Sequence, residues 1–239
     1  SLSGSAIVAI NGKICFEQNK TLLPNYDVFD EVRYFEASND NKVFIFKGKK
    51  LGISICEDIW NDADYWNKRR YYVDPVQKLI KQGAEILINI SASPYAFGKR
   101  TERMKMLSVI SSDDKIPVIY SCCTGAQTDL IFDGASMCFD NKGKLCLLGK
   151  AFQEDFLLFD SEADYEGIDK CEGKFEEEVL NALIYGLKEY CNKTGFKKAI
   201  LGLSGGIDSA LVAYIAVKAL GSQNVHALLM PSQFSSEGS

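Results

Sequence analysis

The sequence predicts an α/β protein built of two successive layered units. Three observations carry this expectation. Short runs rich in Val, Ile and Leu alternate with stretches of helical periodicity along residues 1–160. Tight turns such as Asn11-Gly12 stand among longer connections, so hairpins and crossovers share a sheet that helices cover. Beyond an acidic, aperiodic stretch at 161–173, the order becomes helix, strand, glycine-rich turn, helix, strand, which opens a parallel doubly wound sheet.

Taken in order, residues 6–10 (AIVAI) predict a strand, Asn11-Gly12 a hairpin turn, and residues 13–17 the returning strand. A chain that opens on a hairpin leads to the expectation that further sequence precedes it. Residues 20–36 predict a loop rich in aromatic and charged side chains. Residues 43–46 turn at Lys47-Gly48-Lys49 into a buried strand, 51–55, which breaks abruptly into Cys56-Glu57-Asp58-Ile59-Trp60. Asp74-Pro75 opens a helix running to Lys81, with Val76, Leu79 and Ile80 on one face and Gly83 as its stop. A buried strand at 85–90 leads into Ser91-Ala92-Ser93-Pro94, then a helix at 99–113 with Met104, Leu107 and Ile110 inside. A strand at 117–120, a loop at 125–129, strands at 130–132 and 135–139, a turn at 141–144 and a last strand at 152–159 follow. The linker falls in 161–173, dividing the chain into domains 1–165 and 166–239. Residues 174–194 predict an amphipathic helix carrying Leu180, Ile184, Leu187 and Cys191 on one face, stopped by Thr194-Gly195. A strand at 198–203, a helix at 208–220 and a strand at 224–230 complete the second unit. Two strands cannot bury helices on both faces, so sequence beyond Ser239 is expected too.

Composition narrows the function classes. The chain has 239 residues, of which 46% are hydrophobic and 25% charged, as in globular proteins. A net charge of -5 argues against nucleic-acid binding by bulk electrostatics. No apolar run reaches the ~18–20 residues a membrane-crossing helix needs, and Ser1-Leu2-Ser3-Gly4-Ser5 lacks the basic start of a signal peptide. The eight cysteines contain no CxxC, and Cys122 and Cys123 are adjacent, so reduced thiols in the cytoplasm are expected. The single histidine, His226, sits in a strand-like run and is expected at a core or edge position, which leaves no His-based triad.

Two stretches carry chemistry. In the first, a strand leads through Gly202, Leu203, Ser204, Gly205, Gly206, Ile207, Asp208 and Ser209 into a helix. Glycines let the backbone approach an anion, N–H groups at the helix start point at it, and two hydroxyls add donors. Asp208 could orient the loop or face a metal. No Lys follows Gly206, which rules out the P-loop pattern, and the glycine spacing rules out GxGxxG. The alternative is an ordinary glycine-rich turn. The SGGxDS pattern resembles the pyrophosphate loop of the ATP-pyrophosphatase superfamily. In the second stretch, Cys56 ends a buried strand, where a helix N-terminus or a lysine can lower a thiol's pKa. The alternative is a small core hydrophobe.

The segments around Cys56 decide between these. Residues 20–35 (KTLLPNYDVFDEVRYF), 52–60 (GISICEDIW), Asn89 to Pro94 with Gly98-Lys99, and Gly125 to Ser136 resemble the nitrilase-type amidase domain of glutamine-dependent NAD synthetases. Residues 182–213, with the SGGIDSALVA core, are similar to the synthetase domain of the same family, and residues 230–239 to its next substrate loop. The resemblance spans nearly the whole chain in the expected order.

It implies a nitrilase-like αββα layered sandwich followed by a Rossmann-like parallel α/β synthetase domain. The family's amidase triad is Glu-Lys-Cys. Cys56 would attack the glutamine amide, and Lys20 would stabilise the oxyanion and depress the thiol pKa. The family's general-base Glu lies upstream of these segments, so it is expected before this chain and is not assigned; Glu17, too close to Lys20, does not match it. Tyr26, Ser93 and Lys99 match positions that contact glutamine. The family's Gly-Gly-Gln-Asp-Glu appears as Gly125-Ala126-Gln127-Thr128-Asp129, a departure that could alter substrate positioning or contacts between domains. Residues 202–209 would hold ATP, with Mg²⁺ neutralising its phosphates; the metal ligands are not assigned, and Asp208 is the one candidate within the loop. Deamido-NAD would be adenylated and then aminated to NAD by ammonia delivered along a protected path. The partners implied are deamido-NAD, glutamine and ATP, in a homo-oligomer with no nucleic-acid or membrane partner. Two alternatives stay open: another glutamine amidotransferase of the ATP-pyrophosphatase group, and an inactive scaffold descended from the family. The amidase type argues against the first, and the presence of Cys56, Lys20 and SGGxDS against the second.

Overall fold

The computed structural model describes residues 2–62, 65–66, 68–169 and 173–230. Strands β1 (Ser5–Ile10) and β2 (Lys13–Asn19) form an antiparallel hairpin. Asn11 (φ 51°) and Gly12 (φ 76°) supply the left-handed pair such a two-residue turn needs. A second hairpin joins β3 (Val43–Phe46) to β4 (Lys49–Ile55). From β4 the chain crosses through α1 (Pro75–Lys81) to β5 (Ile86–Ser91), then through α2 (Lys99–Asp114) to β6 (Val118–Cys122). Strands β4, β5 and β6 are parallel neighbours. A detached hairpin, β7 (Thr124–Gln127) and β8 (Leu130–Asp133), precedes β9 (Met137–Phe139) and β10 (Leu145–Leu148). The main sheet has the order β10-β9-β6-β5-β4-β3.

Strand alternation sorts the faces. Leu87 on β5, Val118 and Tyr120 on β6, and Met137 and Phe139 on β9 point to one side, where Val76 and Leu79 of α1 and Met106, Leu107 and Ile110 of α2 close the core. Asp74 caps α1 by accepting from the Gln77 N–H, and Pro75 opens its first turn. Gly52 lets α1 lie close on β4: a Cβ there would meet the Ala84 Cβ at 3.1 Å and the Leu79 Cβ at 3.3 Å. The described residues thus form one helix layer on one six-stranded sheet, with two-stranded pieces beside it.

The second unit contains α3 (Phe175–Thr194), β11 (Ala199–Gly202), α4 (Ile207–Leu220) and β12 (Val225–Leu228). Strands β11 and β12 pair in parallel, with Ile200 opposite His226. His226 is exposed there, an edge position rather than a core one. Helix α3 seats on the β7–β8 hairpin. Thr124 Oγ1 and the Tyr185 hydroxyl lie 3.0 Å apart. At Gly186 a Cβ would come within 2.8 Å of Ile131 Cδ1, so the missing side chain permits the approach.

Four expectations are corrected. Residues 125–129 are mostly strand β7, closed by a turn in which Thr128 adopts φ 52°; the Gly-Ala-Gln-Thr composition hides it. Strand β10 was not expected, yet it pairs antiparallel with β9. Residues 152–159 form no strand: Phe156 and Leu158 are 86% and 82% exposed, and the local backbone is held by the Asp155 carboxylate, which accepts from the Lys150 and Phe156 N–H groups. On α2, Met104 is only half-buried, while Arg103 and Met106 are fully enclosed.

Candidate active site

The carboxyl ends of parallel strands are where an open α/β sheet presents its chemistry. Cys56 follows the last residue of β4 and starts a short 3₁₀ turn, Cys56–Ile59. Its φ of 45° is left-handed. A non-glycine residue pays of order 1 kcal/mol to sit there, and the sharp turn it makes aims the side chain off the strand end. Beneath it runs a buried polar chain. Ser91 Oγ donates to Asn89 Oδ1 (2.6 Å), and Asn89 Nδ2 donates to Ser54 Oγ (3.0 Å) and, at 3.4 Å, to the Cys56 carbonyl. Asp58 fastens the other side. Its Oδ1 accepts from the N–H groups of Thr21 (3.0 Å) and Leu22 (2.7 Å), and its Oδ2 from that of Ile55 (3.1 Å).

Those bonds place Lys20 beside the thiol. Lys20 is 5% exposed, buried rather than solvated. Its Nζ pairs with Glu31 Oε2 at 2.5 Å. Glu31 escaped the sequence reading because it stands in a charged, aperiodic loop. Lys20, Glu31, Ile90, Ser91, Ala92 and Cys56 line one cavity of about 390 Å³. Burial pushes the Cys56 thiol up, and the Lys20 charge, the Ala92 N–H and the Ser91 hydroxyl pull against it. Lys20 acts in the expected direction, but desolvation outweighs it. A thiol kept neutral this way reacts only when a base takes its proton during attack.

On its other side Cys56 opens to a cavity of about 410 Å³. Tyr26, Ser93 and Lys99 all line it, as do Glu57, Trp60, Arg70 and Glu102. Four of the five residues singled out around the amidase chemistry thus meet in one space, and Lys20 stands behind Cys56. Ser93 is buried. Lys99 begins α2 with its ammonium 5.6 Å from the Trp60 ring. The Tyr26 hydroxyl donates to Glu57 Oε1 (2.8 Å) and Oε2 (2.9 Å), and the Tyr71 hydroxyl donates to Glu57 Oε1 (3.0 Å). Burial, then the Glu57 carboxylate, hold both phenols above their ordinary value, so they remain donors.

Asp58 yields a first prediction. Burial pushes it up to about 6, against three backbone donors that pull it down. A folded value above the ordinary 3.8 means the folded state binds the proton more tightly. The resulting stability is fully present below the unfolded value and is lost as pH rises through about 6. Asp58→Asn keeps an oxygen for Thr21 and Leu22 but turns an amide toward the Ile55 N–H. It should cost about 1–3 kcal/mol at pH 7, and the gap to the native protein should widen as pH falls toward 4 in paired chemical melts.

The 202–209 loop is built as an open cradle. Gly205 (φ 81°) takes the conformation that favours glycine, and Gly206 caps α4. Ser204 and Ser209 hydroxyls lie 3.1 Å apart; the Ser204 N–H donates to Ser209 Oγ (3.2 Å), and Ser209 Oγ to the Gly206 carbonyl (3.0 Å). Asp208 lies in the first turn of α4. Gly202, Leu203 and Ile207 complete the bend, whose Leu203 N–H donates to the Leu228 carbonyl (2.9 Å). The expected next substrate loop beyond Met230 lies outside the described residues.

The comparisons with known proteins agree with this two-part anatomy. Residues 3–164 match the carbon-nitrogen hydrolase model, and residues 179–239 match the NAD synthase model. The chain is 44% identical over 243 residues to the glutamine-dependent NAD(+) synthetase of Synechocystis, matching 100% of this chain and 44% of that protein. It is 36% identical to the synthetase of the same name from Thermotoga maritima, over 98% of this chain and 46% of the relative. The chain thus spans less than half the length of these relatives. A glutamine-dependent NAD+ synthetase structure from Acinetobacter baumannii, in complex with ADP, superposes with a TM-score of 0.87 at 35% identity, covering 98% of this chain and 43% of that one. A carbon-nitrogen hydrolase from Helicobacter pylori (TM-score 0.53, 22% identity, 62% of this chain and 53% of that one) shares the fold of the first part. The chain belongs to the carbon-nitrogen hydrolase family, and its residues 179–239 match the NAD synthase model as well.

Proposed function

We propose that the protein makes NAD from deamido-NAD, using glutamine as nitrogen donor and ATP as activator. The observation that carries the reading is the meeting of Cys56 with Ser93, Tyr26 and Lys99 in one cavity, backed by the buried Lys20. We divide the chain at 165/166 into an amidase domain and a synthetase domain. In the first, Cys56 Sγ attacks the side-chain amide carbon of glutamine while its proton passes to the departing nitrogen. The C–N bond breaks, ammonia leaves, and a glutamyl thioester remains until water hydrolyses it to glutamate. Lys20 faces the negative charge that develops on the carbonyl oxygen, and Glu31 keeps its ammonium in place. Tyr26, Ser93 and Lys99 hold the substrate. We leave the expected upstream glutamate as the candidate base.

In the second domain, the N–H groups and hydroxyls of residues 202–209 receive the ATP phosphates. The deamido-NAD carboxylate displaces pyrophosphate, and ammonia then displaces AMP. Among the described residues no group of three His, Cys, Asp or Glu could hold a metal ion. Mg²⁺ bound to the ATP phosphates would screen their charge, and Asp208, in the first turn of α4, would be the residue to supply an oxygen to it. A homo-oligomer in the cytoplasm completes the reading; no helix among the described residues is long and apolar enough to cross a membrane.

The test is to follow NAD formation by the intact protein from deamido-NAD, ATP and Mg²⁺ with glutamine or ammonium. Synthesis from both is expected; no NAD from either overturns the reading. A finer prediction concerns Lys20. Lys20→Met keeps length and loses charge, and should lower kcat for glutamine hydrolysis roughly 10²–10³-fold with KM little changed.

A further inference from the structure

Of the charged residues that line the 410 Å³ cavity, only Lys99 has a role in the reaction proposed above. Glutamine differs from a simple amide in its α-ammonium and α-carboxylate, and a site that reads it must answer both charges. Glu57 and Glu102 offer negative charge; Lys68, Arg70 and Lys99 offer positive charge. Arg70 is the best prepared of the cations. Its guanidinium carbon lies 3.4 Å from the centre of the Tyr26 ring, and both residues line the cavity. Tyr26 is itself fixed by the Glu57 carboxylate. The backbone that carries Arg70 is pinned as well. Buried Asn61 donates to the Tyr71 carbonyl (2.9 Å) and the Val73 carbonyl (2.7 Å), and its Oδ1 accepts from the Tyr71 N–H (3.1 Å). The neighbouring Arg69 is spent on Asp74 at 3.4 Å, whereas Arg70 forms no ion pair with any described residue.

We infer that Arg70 is the residue that selects α-amino-acid amides, by pairing with the α-carboxylate of the glutamine substrate; this rests on the glutaminase reading above. A planar fork held in advance on an aromatic ring meets a carboxylate through two parallel N–H bonds, with little ordering left to do on binding.

The experiment measures ammonia release by the intact protein from three amides: L-glutamine, glutaramate (no α-amino group) and 4-aminobutanamide (no α-carboxylate). Arg70→Ala should raise KM for glutamine and glutaramate roughly 10- to 100-fold, with kcat within about threefold. It should leave kcat/KM for 4-aminobutanamide unchanged, and Arg70→Lys should restore part of the loss. An equal loss on all three amides would make Arg70 a support for Tyr26 and overturn the proposal, as would an unchanged glutamine KM. Absence of ammonia release by the native protein would instead bring down the glutaminase reading and this inference with it, a result distinguishable because it appears without any substitution.

Discussion

Cys56→Ala should remove glutamine-driven NAD formation and leave ammonium-driven formation at the native rate. The substitution deletes one sulfur, and alanine can hold the same backbone turn, so the melting temperature should move little. Without the thiol no acyl-enzyme can form, and hydrolysis falls to what the cavity achieves on water alone, a loss of at least about 10⁴-fold. The 202–209 loop needs neither the sulfur nor the thioester, because ammonium in solution can replace the delivered ammonia. Parallel assays with the two nitrogen sources read the two effects separately. If glutamine still supports synthesis in the variant, Cys56 is a packing residue and the nucleophile has been misassigned.

Asp133→Ala should cost about 3–5 kcal/mol of folding stability. Asp133 is fully buried at the end of β8, and Arg103 of α2 is fully buried against it. Arg103 Nη2 reaches Asp133 Oδ1 at 2.7 Å and Oδ2 at 2.5 Å. Arg100 Nε adds a bond to Oδ2 at 3.2 Å, and Arg100 Nη1 continues to Glu178 on α3 at 3.5 Å. Removing the aspartate strands guanidinium charge where water cannot reach it. Against a total stability of about 5–15 kcal/mol, the loss removes a large share of the folding free energy. Because the network ties α2 and β8 to α3, the damage should reach both parts of the chain. Urea titration of native and variant protein measures it; a midpoint shift worth under about 1 kcal/mol would mean that solvent enters this network freely.

The parts of the fold that sequence alone announces are those in which the signal is local. Asn11-Gly12 has to turn left-handed, Asp74-Pro75 has to start a helix, and Gly195 has to end one; each does so. Cys56 stood out because a buried strand broke at it, and SGGxDS because serines and glycines bracket a strand-to-helix turn. What stayed hidden depends on partners far away in sequence. Arg103 sits among polar residues on a helix, and charge patterning would turn it outward; only Asp133, 30 positions later, explains its burial. The burial of Lys20 depends on Glu31 and on the backbone that Asp58 holds, neither of which its place in a loop announces. Strand β10 and the loose segment 152–159 were confused for the same reason: apolar content marks what can enter a sheet, whereas pairing decides what does.

The central claim is that Cys56 carries a covalent glutamyl intermediate. The most direct measurement is to quench the intact protein in acid during turnover with L-glutamine and locate the bound acyl group by peptide mass spectrometry. The account predicts one glutamyl group on the peptide bearing Cys56, released by hydroxylamine and absent from Cys56→Ala. Steady ammonia release with no adduct on that peptide at any quench time, or an adduct on another cysteine, would contradict it.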